Sequence, residues 1–290
     1  MQSEYKVDPA RHISTFALME LFKLDSYEKI ALMLLLRYAG VAFLFWVIWY
    51  VLIRKKAAHK KIQARFPKGS DYRREIGYSM ISLLIFAAVP TAMLLTPFRQ
   101  HTQYYTDVAQ HGTLWFVLAF PVTFLFHDAY FYWTHRAMHH KKLFKLFHLV
   151  HHKSTNPSPW AALSFHPLEA VVEAGVFAVM LMIFPLHGWH LFIFYAGMMV
   201  YNVYGHLGWE LYPRGFQRHW LGRWVNTGLA HNQHHQFFKG NYGLYFLWWD
   251  RWFGTLREDY GAQFEKVKSR RKIVLTDSAV TAERPTEMIA

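Results

Sequence analysis

The chain has 19 histidines and no cysteine, and eight of the histidines fall into three compact groups. His135 and His139 are spaced i, i+4, while His148, His151 and His152, and later His231, His234 and His235, are spaced i, i+3, i+4. On an α-helix both spacings put imidazoles on one face, one turn apart, where they can converge on one ion. A lone buried histidine is more often a hydrogen-bonded core residue than a ligand, but eight imidazoles exceed what one tetrahedral zinc site uses. Two metal ions are the economical reading. The lack of cysteine removes thiolate ligands, disulfides and cysteine nucleophiles. Any metal is therefore held by nitrogen and oxygen, a donor set that suits iron, zinc or copper.

Long apolar segments must carry these groups. The composition is 53% hydrophobic and 19% aromatic, with 32 Lys plus Arg against 19 Asp plus Glu. The basic residues flank apolar segments instead of covering polar surfaces, which points to a membrane and away from nucleic acid. A first segment, about Ile30 to Ile53, is broken only by Arg37 and is long enough to cross a ~30 Å hydrocarbon core. Arg54 to Glu75 then carries nine Lys or Arg residues against two acids, the mark of a cytoplasmic loop. A second segment, about Ile76 to Pro97, returns outward with Pro90 as a kink, and the loop 98–112 has Arg99 as its one Lys or Arg. The third starts near Thr113 and enters the first histidine group at its inner end. Val171 to Leu186 and His190 to Val203 form a fourth and fifth apolar pair, near or below spanning length. This topology puts all three histidine groups on the cytoplasmic side.

The expected fold is all-α, an integral-membrane bundle of about four to five membrane helices with a cytoplasmic, histidine-rich helical cap. Residues 1–112 hold the N-terminal helices and basic loop, 113–257 the histidine groups, and 258–290 a charged tail whose last 25 or so residues read as solvated. The aromatic stretch Phe237 to Thr255 suits a membrane interface. Residues 1–27 lack the pattern of a secretory signal. No internal repeat, fused haem or flavin module, or glycine-rich dinucleotide fingerprint is found.

The HRxxH, HxxHH and HxxHH groups, with DAYFYWTHR ahead of the first, resemble the fatty acid hydroxylase/sterol desaturase superfamily of membrane di-iron enzymes. The phrases HHKSTNPSPWAALSFHPLE (151–169) and HHQFFKGNYGLYFLWWDRWFGT (234–255) are similar to its bacterial and C5-sterol-desaturase-like branch. The resemblance covers about residues 113–257 and implies that this stretch is the catalytic domain. It implies two iron ions held by the eight box histidines, molecular oxygen as co-substrate, and hydroxylation or desaturation of a sterol-like or fatty acyl C–H bond. It also implies a separate electron donor, such as cytochrome b5, a ferredoxin or a reductase. His206 in YGHLGWE resembles an isolated family histidine between the second and third boxes and makes a ninth ligand candidate. His166 in SFHPLE resembles another near the site, against a plain role at a helix entry before Pro167.

Four residues remain as neighbours of the centre. His127 lies two turns before His135, rotated by roughly 80°. Asp128, nearly in line with His135 and His139, suits an acceptor for an imidazole N–H or a partner for Arg136. Glu210 follows His206 at i+4 as a ligand or acceptor, and His166 completes the set. His219 reads as structural, and Asp250 as a packing residue or an ion pair with Arg251. Arg136, Lys141, Lys142, Lys145 and Lys153 are interleaved with the boxes, suited to anionic headgroups or to an acidic electron donor. The membrane is a bacterial inner membrane or the endoplasmic reticulum. Two other classes use the same histidines: a zinc-dependent membrane lipid hydrolase or isomerase, and a metal transporter, which would spread its ligands through the membrane depth.

Overall fold

A computed structural model describes residues 24–270. The expectations for a signal at the start and for the last twenty residues of the tail lie outside the described residues. The chain is built almost wholly of helices. Helix α1 (Tyr27–Trp46) starts where the Ser26 side chain accepts the Lys29 N–H at 3.3 Å, and runs on through a π-helical stretch, Val47–Leu52. Helix α2 (Gly69–Leu95) contains Pro90, and α3 (Gly112–Met138) contains Pro121. These three are long and apolar enough to cross a membrane.

The fourth and fifth apolar segments are helices α6 (Pro167–Ile183) and α7 (Gly188–Gly205), of 17 and 18 residues. Between α3 and α6 the chain makes two single turns, α4 (Phe144–Phe147) and α5 (Leu149–His152), with His148 between them. After α7 come α8 (Gly228–Phe237), α9 (Trp248–Trp252) and α10 (Tyr260–Lys268). The described sheet is one parallel pair of two-residue strands, β1 (Tyr104–Tyr105) on β2 (Leu186–His187), which ties the α2–α3 connection to the turn between α6 and α7.

One face of α1 is buried at every fourth residue, Ile30, Leu34, Tyr38 and Ala42, against Leu83 and Ala87 of α2 and Met199 and Val203 of α7. Between apolar helices in lipid, burial adds little hydrophobic driving force, so close backbone approach matters more. Fully buried Ala42, Ala87, Ala162 and Ala170 allow it. The outward faces keep large apolar side chains exposed, Leu114 at 75% and Leu36 at 63%, as lipid contact requires.

A separate apolar cluster forms around α8 and α10. The expected boundary at residue 258 needs correction here. Tyr260, Phe264 and Val267 recur at i, i+4, i+7 on α10 and are buried against Ile62, Leu229, Ala230 and Leu247. Residues 260–268 are therefore part of the cap. Their charged composition concealed a narrow apolar stripe. Phe264 is fully buried, so Phe264→Ala is expected to cost about 3–5 kcal/mol of cap stability. Thermal unfolding of the purified protein in detergent checks this; an unchanged transition would mean that α10 is an appendage.

Candidate metal centre

Four separate pieces of chain bring the histidines together. His135 lies in the last turn of α3, and His139 caps that helix, its N–H bonded to the His135 carbonyl at 3.1 Å. His148, His151 and His152 come from the α4–α5 turns. The third group lies on α8, started by Thr227, whose side chain accepts the Ala230 N–H at 3.2 Å. His206 is the C-terminal cap of α7. The nine candidate ligands sort into two sets, His135, His139, His148, His152 and His234, and His151, His206, His231 and His235. Within each set one ligand nitrogen per ring lies within 4.8 Å of the others. The two sets adjoin: the His152 and His235 ring centres are 5.1 Å apart.

The tautomers decide whether such a cluster suits a cation. His135 Nδ1 donates to the Tyr242 carbonyl at 2.8 Å, His234 Nδ1 to the Gly240 carbonyl at 2.8 Å, and His206 Nδ1 to the Asn202 carbonyl at 2.7 Å. His148 Nδ1 meets the Glu169 carboxylate at 2.6 Å. A neutral imidazole protonated on Nδ1 keeps a lone pair on Nε2. Yet Nε2 of His135 and Nε2 of His148 face each other at 2.9 Å, and His206 Nε2 lies 3.1 Å from Nε2 of both His231 and His235. In the His135–His148 pair, where both Nδ1 atoms carry the proton, the two Nε2 lone pairs repel unless a cation lies between them. The donor set fits two metal ions.

Electrostatics agree. Burial, the largest cause, together with neighbouring imidazoles, holds His148, His151, His152, His231, His234 and His235 well below their ordinary value of 6.5. Burial likewise lowers His139 to about 2 and His206 to about 4. At neutral pH these rings are uncharged, the state a metal requires.

The four neighbouring residues fall elsewhere. Asp128 makes its hydrogen bonds to Tyr245 N at 2.9 Å and to the indole N–H groups of Trp248 and Trp249 at 2.9 and 3.0 Å, so it ties α3 to the segment after α8. This corrects the expected acceptor for an imidazole and partner for Arg136. Glu210 accepts the N–H groups of Tyr212 and Leu229, both at 2.9 Å, and so anchors the start of α8. His166 is the N-cap of α6, its Nδ1 accepting the Leu168 N–H at 3.3 Å. His127 is bonded to the Tyr245 hydroxyl at 3.1 Å and belongs to neither set. His219 accepts backbone N–H groups of Leu221 and Gly222. Asp250 binds Tyr242 N and Gly243 N, both at 2.8 Å, whereas Arg251 donates to the Arg223 carbonyl, so no Asp250–Arg251 pair forms.

Sequence reasoning missed Glu169. It closes the SFHPLE phrase, three residues from His166, and its partner His148 lies 21 residues away. The carbonyls that orient His135 and His234 were also hidden, because they belong to a loop with Phe238 and Asn241 at positive φ.

Residues 120–255 match the family described as fatty acid hydroxylase. All nine histidines and Glu169 lie inside that match. The matched segment, with every histidine of both sets, belongs to the fatty acid hydroxylase family. A superfamily relative, a Delta(7)-sterol 5(6)-desaturase of Gibberella zeae, is 29% identical over 80% of this chain and 71% of its own length. A second, from Aspergillus fumigatus, is 28% identical over 65% of this chain and 63% of its own. The lathosterol oxidase of Homo sapiens is 28% identical over 65% of this chain and 62% of its own. The chain thus spans less than two thirds of the last two. No solved structure matches.

Glu169 orients His148 through its Nδ1. Glu169→Ala should weaken metal binding about 10–100-fold, with Glu169→Gln less affected, as read by metal titration of the stripped protein. Equal affinity in all three would contradict the role. The imidazole shifts have a sign. Rings held below 6.5 when folded bind fewer protons than when unfolded, so stability rises with pH. Metal-free protein is expected to keep this contribution above pH ~6.5 and lose it as the pH falls below, measured by thermal unfolding from pH 8 to pH 5. A transition independent of pH over that range would mean that the rings are solvated.

Proposed function

We propose that the chain is an oxygen-dependent di-iron oxidoreductase that hydroxylates or desaturates a C–H bond of a membrane lipid. The observation that carries this reading is a largely apolar cavity of about 470 Å³ that reaches both histidine sets, with His135 and His148 from one and His151, His206 and His231 from the other on its wall. Leu34, Leu83, Phe86, Phe177 and Met199 line much of the remainder, so the space accepts an apolar chain or ring and not a solvated substrate. Iron bound at the nine histidines would supply the activation of molecular oxygen, chemistry that no acid–base side chain provides.

The chain's own residues do the rest. The carbonyls of Tyr242, Gly240 and Asn202 and the Glu169 carboxylate hold four rings with Nε2 turned inward. The apolar wall keeps water from the reacting carbon. The relatives named as sterol desaturases and lathosterol oxidases support a lipid of the sterol type, with acyl lipids as the alternative substrate class.

The basic loop after α1 supports a cytoplasmic position for the centre. Gln63 donates to Asn232 on α8 at 2.9 Å, and Arg65 to Thr155 beside the second histidine group at 3.1 Å, so the most basic loop lies against the histidine end. Exposed Lys141, Lys142, Lys145 and Lys153 surround the same end. They suit headgroups and an acidic electron donor alike; donor-driven turnover that falls with added salt, while a small chemical reductant is unaffected, marks the donor role.

Expression in a defined host followed by lipid mass spectrometry should show a product about 16 mass units heavier or about 2 lighter, from one added oxygen or two lost hydrogens. Its formation should stop without oxygen. Turnover that persists anaerobically would favour the hydrolase or isomerase class and contradict the proposal.

A further inference from the structure

The cavity contains a second polar station, remote from the histidines. Its wall along α7 is a single helical stripe, His206, Asn202, Met199 and Tyr195, at steps of three or four residues. At 1.5 Å per residue, Tyr195 lies ~16 Å from His206 along the axis. Across from it Arg37 of α1, the one charge within the first apolar segment, holds its guanidinium 5.7 Å from the centre of the Tyr195 ring. Arg37 Nε and the Tyr195 hydroxyl are buried and have no hydrogen-bond partner among the described residues. Arg37 takes part in none of the ion pairs there.

A guanidinium keeps its charge in proteins. Placed within a membrane helix without an acceptor, it is among the costliest groups to retain, and such residues mark binding sites or pathways. The two donors share one deficiency, an oxygen acceptor, and the cavity between them and the centre is apolar, with Phe177 and Met199 on its wall. We propose that Arg37 and Tyr195 bind the oxygen-bearing terminus of the lipid substrate, at the part of the cavity remote from the histidine sets. This rests on the reading of the cavity as the substrate site. Glu173, one turn beyond Glu169 on the α6 wall, also lines the cavity and is the competing partner for that oxygen.

Full-length protein carrying its metal, in nanodiscs, is titrated with tritiated hexadecanoic acid, hexadecan-1-ol and hexadecane as probes. The wild type should bind the two oxygen-bearing probes at least ~10-fold more tightly than the alkane. Arg37→Gln should lose that preference, Tyr195→Phe should lose part of it, Arg37→Lys should retain part, and none should alter hexadecane binding. A greater loss for the acid than for the alcohol identifies an anionic terminus; the reverse identifies a hydroxyl. Equal binding of all probes by the wild type would overturn the proposal. So would wild-type preference in Arg37→Gln, or loss of preference in Glu173→Gln alone. Tyr195→Phe removes one hydroxyl and tests the site even if the arginine variants do not fold. Iron is counted in the same preparations. A wild type without iron but with intact probe preference would refute the di-iron reading and leave the anchor standing.

Discussion

Imidazole lone pairs that face one another inside a protein are unstable unless something positive joins them, and the histidine cluster is dominated by that constraint. Four rings have Nδ1 committed to carbonyls or a carboxylate, which turns the Nε2 atoms of His135 and His148 toward each other, that of His234 toward His152, and that of His206 toward His231 and His235. Burial removes the alternative of protonation, because each ring is held below its ordinary value or lies out of reach of water. The cluster is therefore a site prepared for cations at a cost in the stability of the metal-free chain.

The surrounding architecture reads as the means of holding that arrangement. Each histidine group sits at a helix end or on a short turn, where a ring can be steered by a backbone carbonyl that no helix is using. The most distant supports are buried carboxylates spent on backbone and indole N–H groups: Asp128 fixes the segment after α8 to α3, Asp250 fixes the Tyr242 loop, and Glu210 fixes the start of α8. The apolar helices have a separate task. They enclose a cavity that ends on the rings, and their outward faces meet lipid.

The grouping of eight histidines was legible because helical spacing is a local property, visible in a single strand of text; His206 needed the resemblance, since one isolated histidine carries no period. The three long helices were legible for the same reason, through length and hydropathy. Glu169 was not legible: its partner is 21 residues away across a turn, and a Glu in an apolar helix start looks like any first-turn acid. Asp128 misled because alignment on a helix face with His135 says nothing about what packs opposite. In α10 the buried stripe of Tyr260, Phe264 and Val267 is only three residues among charged neighbours, too weak a signal against the composition. Arg37 was visible as an interruption, but its orphaned Nε and its place beside Tyr195 belong to the fold alone.

The most direct measurement is metal stoichiometry, by elemental analysis of protein purified under anaerobic conditions, with X-ray absorption to identify the ligand atoms. Two iron ions per chain in a nitrogen- and oxygen-only environment are expected, falling toward one in His234→Ala and in His231→Ala, since each variant depletes a different set. A chain that binds no iron, or keeps two ions in both variants as in the wild type, would contradict a centre divided between the two histidine sets.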